Sequence, residues 1–311
     1  MAVARRRWAG CHRLALLSAT FLVLGCAGPR GTSQAVVTSP ASAPEQTTSP
    51  ASTPPAARAP AARSPFASRR LRAYLAGRSD VVTAALYDAR TGRTWALHPR
   101  SVQYTASIVK VEIMGTALQE AAAAGQALPA SEAALMRPMI ENSDNDAATA
   151  LLSDVGGPSA VARFDQSAGL DHTTPSTLAL IPGTSLPGWG LTTTTALDEV
   201  ALISDFAYPN PVLDDASRSY GLSLMEHIEA DQSWGVSAGA GPGATIALKN
   251  GWLPVRDAKW QVNSIGWISG HGRDYVLAVL TAGSPTEEYG ISTIQTLARD
   301  VYQSQRAPAQ S

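Results

Sequence analysis

Ser107-Ile108-Val109-Lys110 sets a hydroxyl and an amine three residues apart. In a helix the two side chains share one face, one turn apart, so the lysine reaches the serine. A serine hydroxyl is a weak nucleophile until an adjacent base takes its proton, and a desolvated lysine near another cation is neutral enough to do so. A helix starting here also aims backbone N–H groups at the serine, as the oxyanion of an acyl transfer requires.

Composition makes the tetrad informative. Lys110, Lys249 and Lys259 are the only lysines, against seven times as many arginines. Two of the three therefore keep an amine that can lose its proton, which a guanidinium does not. The second sits in Leu248-Lys249-Asn250-Gly251, and between the two lies Ser143-Asp144-Asn145. Each piece has an ordinary reading: a serine three before a lysine arises by chance, and Ser-Asp caps helices. All three in this order are much harder to assign to coincidence.

The chain here resembles the penicillin-recognising serine enzymes, most closely the class A β-lactamases, whose motifs are S-x-x-K, S-D-N and K-T-G. The resemblance covers about the last three quarters of the chain. Ser143-Asp144-Asn145-Asp146-Ala147-Ala148-Thr149-Ala150-Leu151-Leu152 is similar to the family's helix after S-D-N, and Asn263-Ser264-Ile265-Gly266 to the strand after K-T-G. It implies that Ser107 is the acylated nucleophile, Lys110 its base or proton relay, and Ser143 the proton donor to the leaving nitrogen. Asn145 would hold the substrate amide and Lys110, while Lys249 would supply positive potential for the substrate carboxylate, with Asn250, Gly251 and Trp252 completing the substrate-binding set. The oxyanion hole would be the backbone N–H groups of Ser107 and Trp252.

The chain departs from that family twice. Asn250 stands where the family has Thr or Ser, so an amide would replace a hydroxyl as the carboxylate donor. Class A enzymes also carry a loop glutamate after S-D-N that activates the deacylating water, and residues 172–197 contain no carboxylate. His172 is the one titratable substitute there, against the plainer reading of a surface histidine. The segment between Lys110 and Ser143 is also short for class A, which would reduce one wall of the cleft.

Two other chemistries are weaker. Gly235-Val236-Ser237-Ala238-Gly239 matches a nucleophile elbow, with Asp257 and His271 following in order, but the glycines and Pro242 after it oppose the helix an elbow needs. His12, His98, His172, His227 and His271 lack ligand spacing, so neither metal nor cofactor is expected.

The N-terminus predicts export. Arg5-Arg6-Arg7 and the apolar run 14–24 have signal-peptide proportions for residues 1–25. Val23-Leu24-Gly25-Cys26 resembles a bacterial lipobox, which implies a lipidated Cys26 on the outer face of the cytoplasmic membrane; an ordinary signal peptide is the alternative. Residues 26–66 would add an Ala/Ser/Thr/Pro-rich tether with too little apolar surface to fold. Cys11 and Cys26 are the only cysteines, so a mature domain at 67–307 has no thiol for a disulfide.

Net charge is −1, and about −5 once Arg5, Arg6, Arg7 and Arg13 leave with the leader. With no basic, aromatic-laced stripe, nucleic acid is not an expected partner. The membrane is expected only through the anchor, and the domain as a monomer meeting a small-molecule or peptidoglycan-stem substrate.

Periodicity predicts helices over 69–77, 107–124, 131–140, 145–152, 158–167, 194–206, 212–228 and 284–303. It predicts a hairpin over 81–97 and strands over 245–249, 260–268 and 275–281, with a loop over 171–191. Strands at both ends around a helical middle imply an α/β sandwich: an antiparallel sheet flanked by helices, with an inserted all-helical lobe and a cleft between. The expected activity is a serine hydrolase working through acyl-Ser107 on a β-lactam, a D-Ala-D-Ala-like amide or an ester. The alternatives are a penicillin- or peptidoglycan-binding or sensing lipoprotein that uses the same pocket and acylates slowly or not at all, and a true β-lactamase with another deacylation route.

Overall fold

The computed structural model describes residues 63–255, 257 and 259–305. The expected leader, Cys26 and nearly all of the tether lie outside the described residues. Packing begins slightly before the expected start at 67: Phe66, in a 3-10 turn at Pro65–Ala67, is buried with Leu71 against the sheet.

The elements follow as α1 (Arg69–Ala76), β1 (Val81–Asp88), β2 (Arg93–Leu97) and β3 (Gln103–Tyr104), then α2 (Lys110–Ala123), α3 (Ala130–Glu141), α4 (Asn145–Asp154) and α5 (Pro158–Ser167). After a loop come β4 (Thr193–Thr194), α6 (Ala196–Ala207) and α7 (Asp215–Glu226), and the chain closes with β5 (Thr245–Pro254), β6 (Trp260–Gly270), β7 (Arg273–Ser284) and α8 (Glu287–Ser304). The five long strands form one antiparallel sheet in the order β2-β1-β7-β6-β5, so β5 is an edge. The expected architecture is present: segments from both ends of the chain build the sheet, and α2 to α7 are inserted between them.

Strand alternation explains the layering. On β7, Val276, Ala278 and Leu280 face the helices of the insert, while Tyr275, Leu277 and Val279 face α8 through Ile294, Leu297 and Val301. Buried on both sides, β7 reads as a continuous apolar run, and each buried Leu or Val contributes roughly 1.5–3 kcal/mol. α2 is buried nearly all round, with Val111, Ile113 and Met114 inaccessible, which makes it the axis of the insert.

Three details differ from the sequence expectation. β5 does not stop at Lys249: its ladder continues through Asn250↔Ser264 and Gly251↔Asn263 to Pro254. Pairing with β6 overrides the low strand propensity of Asn-Gly. The helix expected from 107 opens as a 3-10 turn, Ala106–Val109, and becomes α-helical at Lys110. The helix expected over 212–228 starts at Asp215 because Asn210 Oδ1 accepts from Val212 N and Leu213 N, and Asp214 Oδ1 accepts from Ser217 N as the cap.

α2, α5 and α6 also gather Glu112, Asp165 and Glu199, whose buried carboxyl oxygens have no hydrogen-bond partner among the described residues. Burial pushes Asp165 up to about 7 and Glu199 up to about 8. Burial, and then Glu199 and Asp165, hold Glu112 well above the usual carboxylate range. Among the described residues, no group of three or more His, Cys, Asp or Glu side chains is placed to hold a metal ion.

Candidate active site

Ser107 lies on the turn that joins the small β3–β4 ribbon to α2, and that turn is fixed from several sides. Thr105 N donates to Thr192 O at 2.8 Å, and the Asn263 amide donates to Tyr104 O and Thr105 O, both at 2.8 Å. Ala106 has φ 49°, an uncommon value for a residue with a side chain and one that marks local strain. On the sheet side Gly251 lies so close that a Cβ there would stand 2.7 Å from Ser107 N and 2.8 Å from Thr105 O. A glycine at that place is required by backbone approach. Among the described residues Ser107 Oγ makes no hydrogen bond, so the expected contact with Lys110 is not formed: the Lys110 amine is bonded to Ser143 and Asn145 instead.

Lys110, one turn on, is wholly buried. Its Nζ donates to Ser143 O at 2.6 Å and Asn145 Oδ1 at 2.8 Å, and lies 3.0 Å from Ser143 Oγ. The loop before α4 is shaped for this contact. Ser143 takes φ 56°, and Asp144 caps α4 by accepting from Ala147 N at 2.7 Å. The capping reading of Ser-Asp and the site reading therefore both hold, carried by adjacent residues. Burial first, and then the positive charge of Lys249, bring Lys110 down to about 6, with Asp144 opposing. At neutral pH it is mostly the free amine: two N–H bonds suit the two carbonyl acceptors, and the lone pair is left to take a proton.

Lys249 reaches the same region from β5. It is 1% exposed, its Nζ donates to Asn250 O at 3.1 Å, and burial lowers it to about 7. Asn250 is placed otherwise than expected. Both its amide hydrogens are spent inward, on Gln232 O at 2.7 Å and Trp234 O at 3.0 Å, so none remains for a substrate carboxylate. Trp252 is half-buried at the cleft beside Ser107 and Asn145, its ring 5.9 Å from that of Trp234. The structure thus brings together Ser107, Lys110, Ser143, Asn145, Lys249, Gly251 and Trp252, and turns the Asn250 side chain away.

Trp189 was not singled out by its sequence context. It sits on the loop after α5, 7% exposed, with its ring centroid 5.0 Å from Lys110 Nζ and its Nε1 donating to Thr149 Oγ1 at 3.1 Å. It covers the flank of the lysine with an aromatic face, which favours a cation but excludes water. A lone tryptophan in a Pro/Gly/Thr loop was the only signal.

The minor candidates fall elsewhere. His172 is largely exposed, its Nδ1 3.5 Å from Asp198 Oδ1, and does not line the cleft. Ser237 Oγ donates to Ser233 O, and His271 Nε2 contacts Pro242 O, so these residues form no triad.

Residues 127–305 match the model of the β-lactamase enzyme family. This chain belongs to that family. The match spans Ser143, Asn145 and Lys249 to Trp252, and Ser107 and Lys110 precede it. Among solved structures, the TLA-1 extended-spectrum β-lactamase aligns over 76% of this chain and 96% of its own, with TM-score 0.67 and 18% identity. A class A β-lactamase from Bacteroides cellulosilyticus aligns over 76% and 95%, with TM-score 0.64 and 16% identity. PBP-A aligns over 75% and 93%, with TM-score 0.64 and 20% identity. At these identities the likeness establishes a class A β-lactamase fold. No curated protein matches the chain.

Proposed function

We propose that this chain is an exported serine hydrolase of the β-lactamase family that acts through an acyl-enzyme at Ser107 and releases the acyl group slowly. The observation that carries the reading is Lys110: buried, brought down to about 6, and held at hydrogen-bond distance by the Ser143 and Asn145 side chains. A free amine in that place takes the Ser107 proton as Oγ bonds to the substrate carbonyl carbon. The Ser107 and Trp252 backbone N–H groups would receive the oxyanion. As the tetrahedral intermediate collapses, Ser143 Oγ–H protonates the leaving nitrogen or oxygen and is reprotonated from Lys110. Water then completes hydrolysis of the ester.

Slow release follows from what surrounds the acyl ester. Residues 172–197 offer no carboxylate, and Trp189 covers the Lys110 flank. The same two facts favour the second reading, a sensing protein that stops at the acylated state. Export and a lipid anchor at Cys26 belong to the proposal on the strength of the leader and lipobox-like segment.

Rapid-mixing kinetics with a p-nitrophenyl ester test this. The expected trace is a burst of about one equivalent of p-nitrophenol followed by a much slower phase. Continuous turnover at the burst rate would contradict slow deacylation.

A further inference from the structure

The third motif region is built so that its polar groups point into the protein. Lys249 is 1% exposed and bonded to its neighbour's carbonyl, and both Asn250 amide hydrogens are donated to the 232–234 loop. Asn263, directly opposite Gly251 on β6, also gives both amide hydrogens away, to Tyr104 O and Thr105 O. The Asn250 and Asn263 amides are therefore committed elsewhere, and Lys249, with one N–H on Asn250 O, is closed off from solvent. A buried donor that already has a partner gains little by exchanging it for a substrate group.

Apolar side chains make up most of the cleft wall. Around Ser107 and Asn145 it consists of Ile181, Leu186, Pro187, Trp189, Trp252 and Leu253, with Ala106 and Gly190 between, and no charged side chain lines it among the described residues. The wall is a built feature. Ile181 N donates to Leu186 O at 2.9 Å and Gly188 N to Ala179 O at 3.0 Å, which closes residues 179–188 into a short hairpin. Thr184 holds its tip by donating to Ile181 O and accepting from Leu186 N. Ile181 then packs on Leu253 and Ala106, so the hairpin is fastened to the end of β5 beside the nucleophile turn.

We propose that the cleft takes an acyl donor with an apolar acyl chain and an uncharged leaving group, that is, a neutral ester or amide recognised by its hydrocarbon part. The proposal rests on the acyl-Ser107 reading and names the substrate class for it. The acyl chain lies along the 179–188 hairpin, where burying methylene groups supplies the binding energy. Ser107 Oγ bonds to the acyl carbon, the bond to the leaving oxygen or nitrogen breaks, and the proton taken from Ser107 reaches the leaving atom through Lys110 and Ser143.

The test is single-turnover acylation of the full chain, followed by intact mass, with two matched probe pairs. One pair is a phenylacetylglycyl thioglycolate and its methyl ester, which differ only in the leaving-group carboxylate. The methyl ester is expected to acylate at least about tenfold faster. The other pair is the p-nitrophenyl esters of acetic and hexanoic acid, with hexanoyl preferred by about tenfold or more. Ile181→Asp is expected to reduce the hexanoyl rate about tenfold more than the acetyl rate, the acetyl adduct showing that the variant retains a working site. Equal rates within either pair, or a preference for the carboxylate, would overturn this proposal while leaving acyl-Ser107 standing. Failure of every probe to acylate Ser107 would overturn the acyl-enzyme reading and this proposal with it.

Discussion

The proposed chemistry rests on a lysine that burial brings down to about 6. If the free amine of Lys110 is the base, the acylation rate should climb with pH, be half-maximal near 6 and then level off. Lys110→Arg keeps the charge but removes the base, since arginine stays protonated, so acylation should fall by roughly 10²–10⁴-fold. Lys249→Arg should lose only about tenfold, because Lys249 bonds to Asn250 O and is assigned no proton transfer. Single-turnover rates showing equal losses, or the reverse order, would mean the base is misassigned. Trp189 gives an independent handle. Opening the flank with Trp189→Ala admits water to Lys110, relieves part of its desolvation and should move the midpoint of the pH profile upward. A midpoint that stays put would show that Trp189 has no part in tuning the lysine.

Among elements, the junction of β5 with the nucleophile turn is the least tolerant. A Cβ at Gly251 would meet backbone atoms at 2.7 and 2.8 Å, so Gly251→Ala must displace the Ser107 turn. Acylation should drop about 100-fold, as a displacement near 1 Å does, whereas a near-normal rate would show that the two backbones move apart freely. The sequence made most elements legible where periodicity or capping acts locally. α5 begins at Pro158 and ends at Ser167 as expected, and β1 and β2 fill the hairpin expected over 81–97. What escaped it is set by pairing across long separations. The two-residue strands β3 and β4 are too short for a period, and β5 runs on through Asn-Gly only because β6 completes the ladder. At the site, Ser107, Lys110, Ser143 and Lys249 were legible because their spacing carries chemistry. The inward turn of Asn250 was hidden, being decided by carbonyls sixteen and eighteen residues away. Trp189 was hidden too, since only the folded loop lays it on Lys110.

For the molecule as a whole, the unpartnered carboxyls shared by α2, α5 and α6 make stability depend on pH. A carboxyl whose folded pKa exceeds its unfolded value keeps its proton in the fold after the unfolded chain has released it. The stabilisation is full below about pH 4 and is lost as pH rises toward 8, where Glu199 titrates in the fold. Glu199→Gln cannot ionise, so its Tm relative to the parent chain should rise between pH 5 and pH 8, by roughly 2–4 °C for each kcal/mol recovered. Calorimetry giving the same difference at both pH values would remove the carboxyl cluster from the account. Placement in the cell depends on the other end of the chain: if Cys26 carries lipid, Cys26→Ser should shift the protein from the membrane to the soluble fraction. An unlipidated N-terminus in the parent protein would exclude the anchor. The central claim is that Ser107 becomes acylated, and the direct test is intact-mass analysis with peptide mapping after brief exposure to p-nitrophenyl hexanoate. The parent chain should gain one hexanoyl group on Ser107, and a folded Ser107→Ala variant should gain none. An adduct that persists in the variant, or maps to Ser237, would contradict the account.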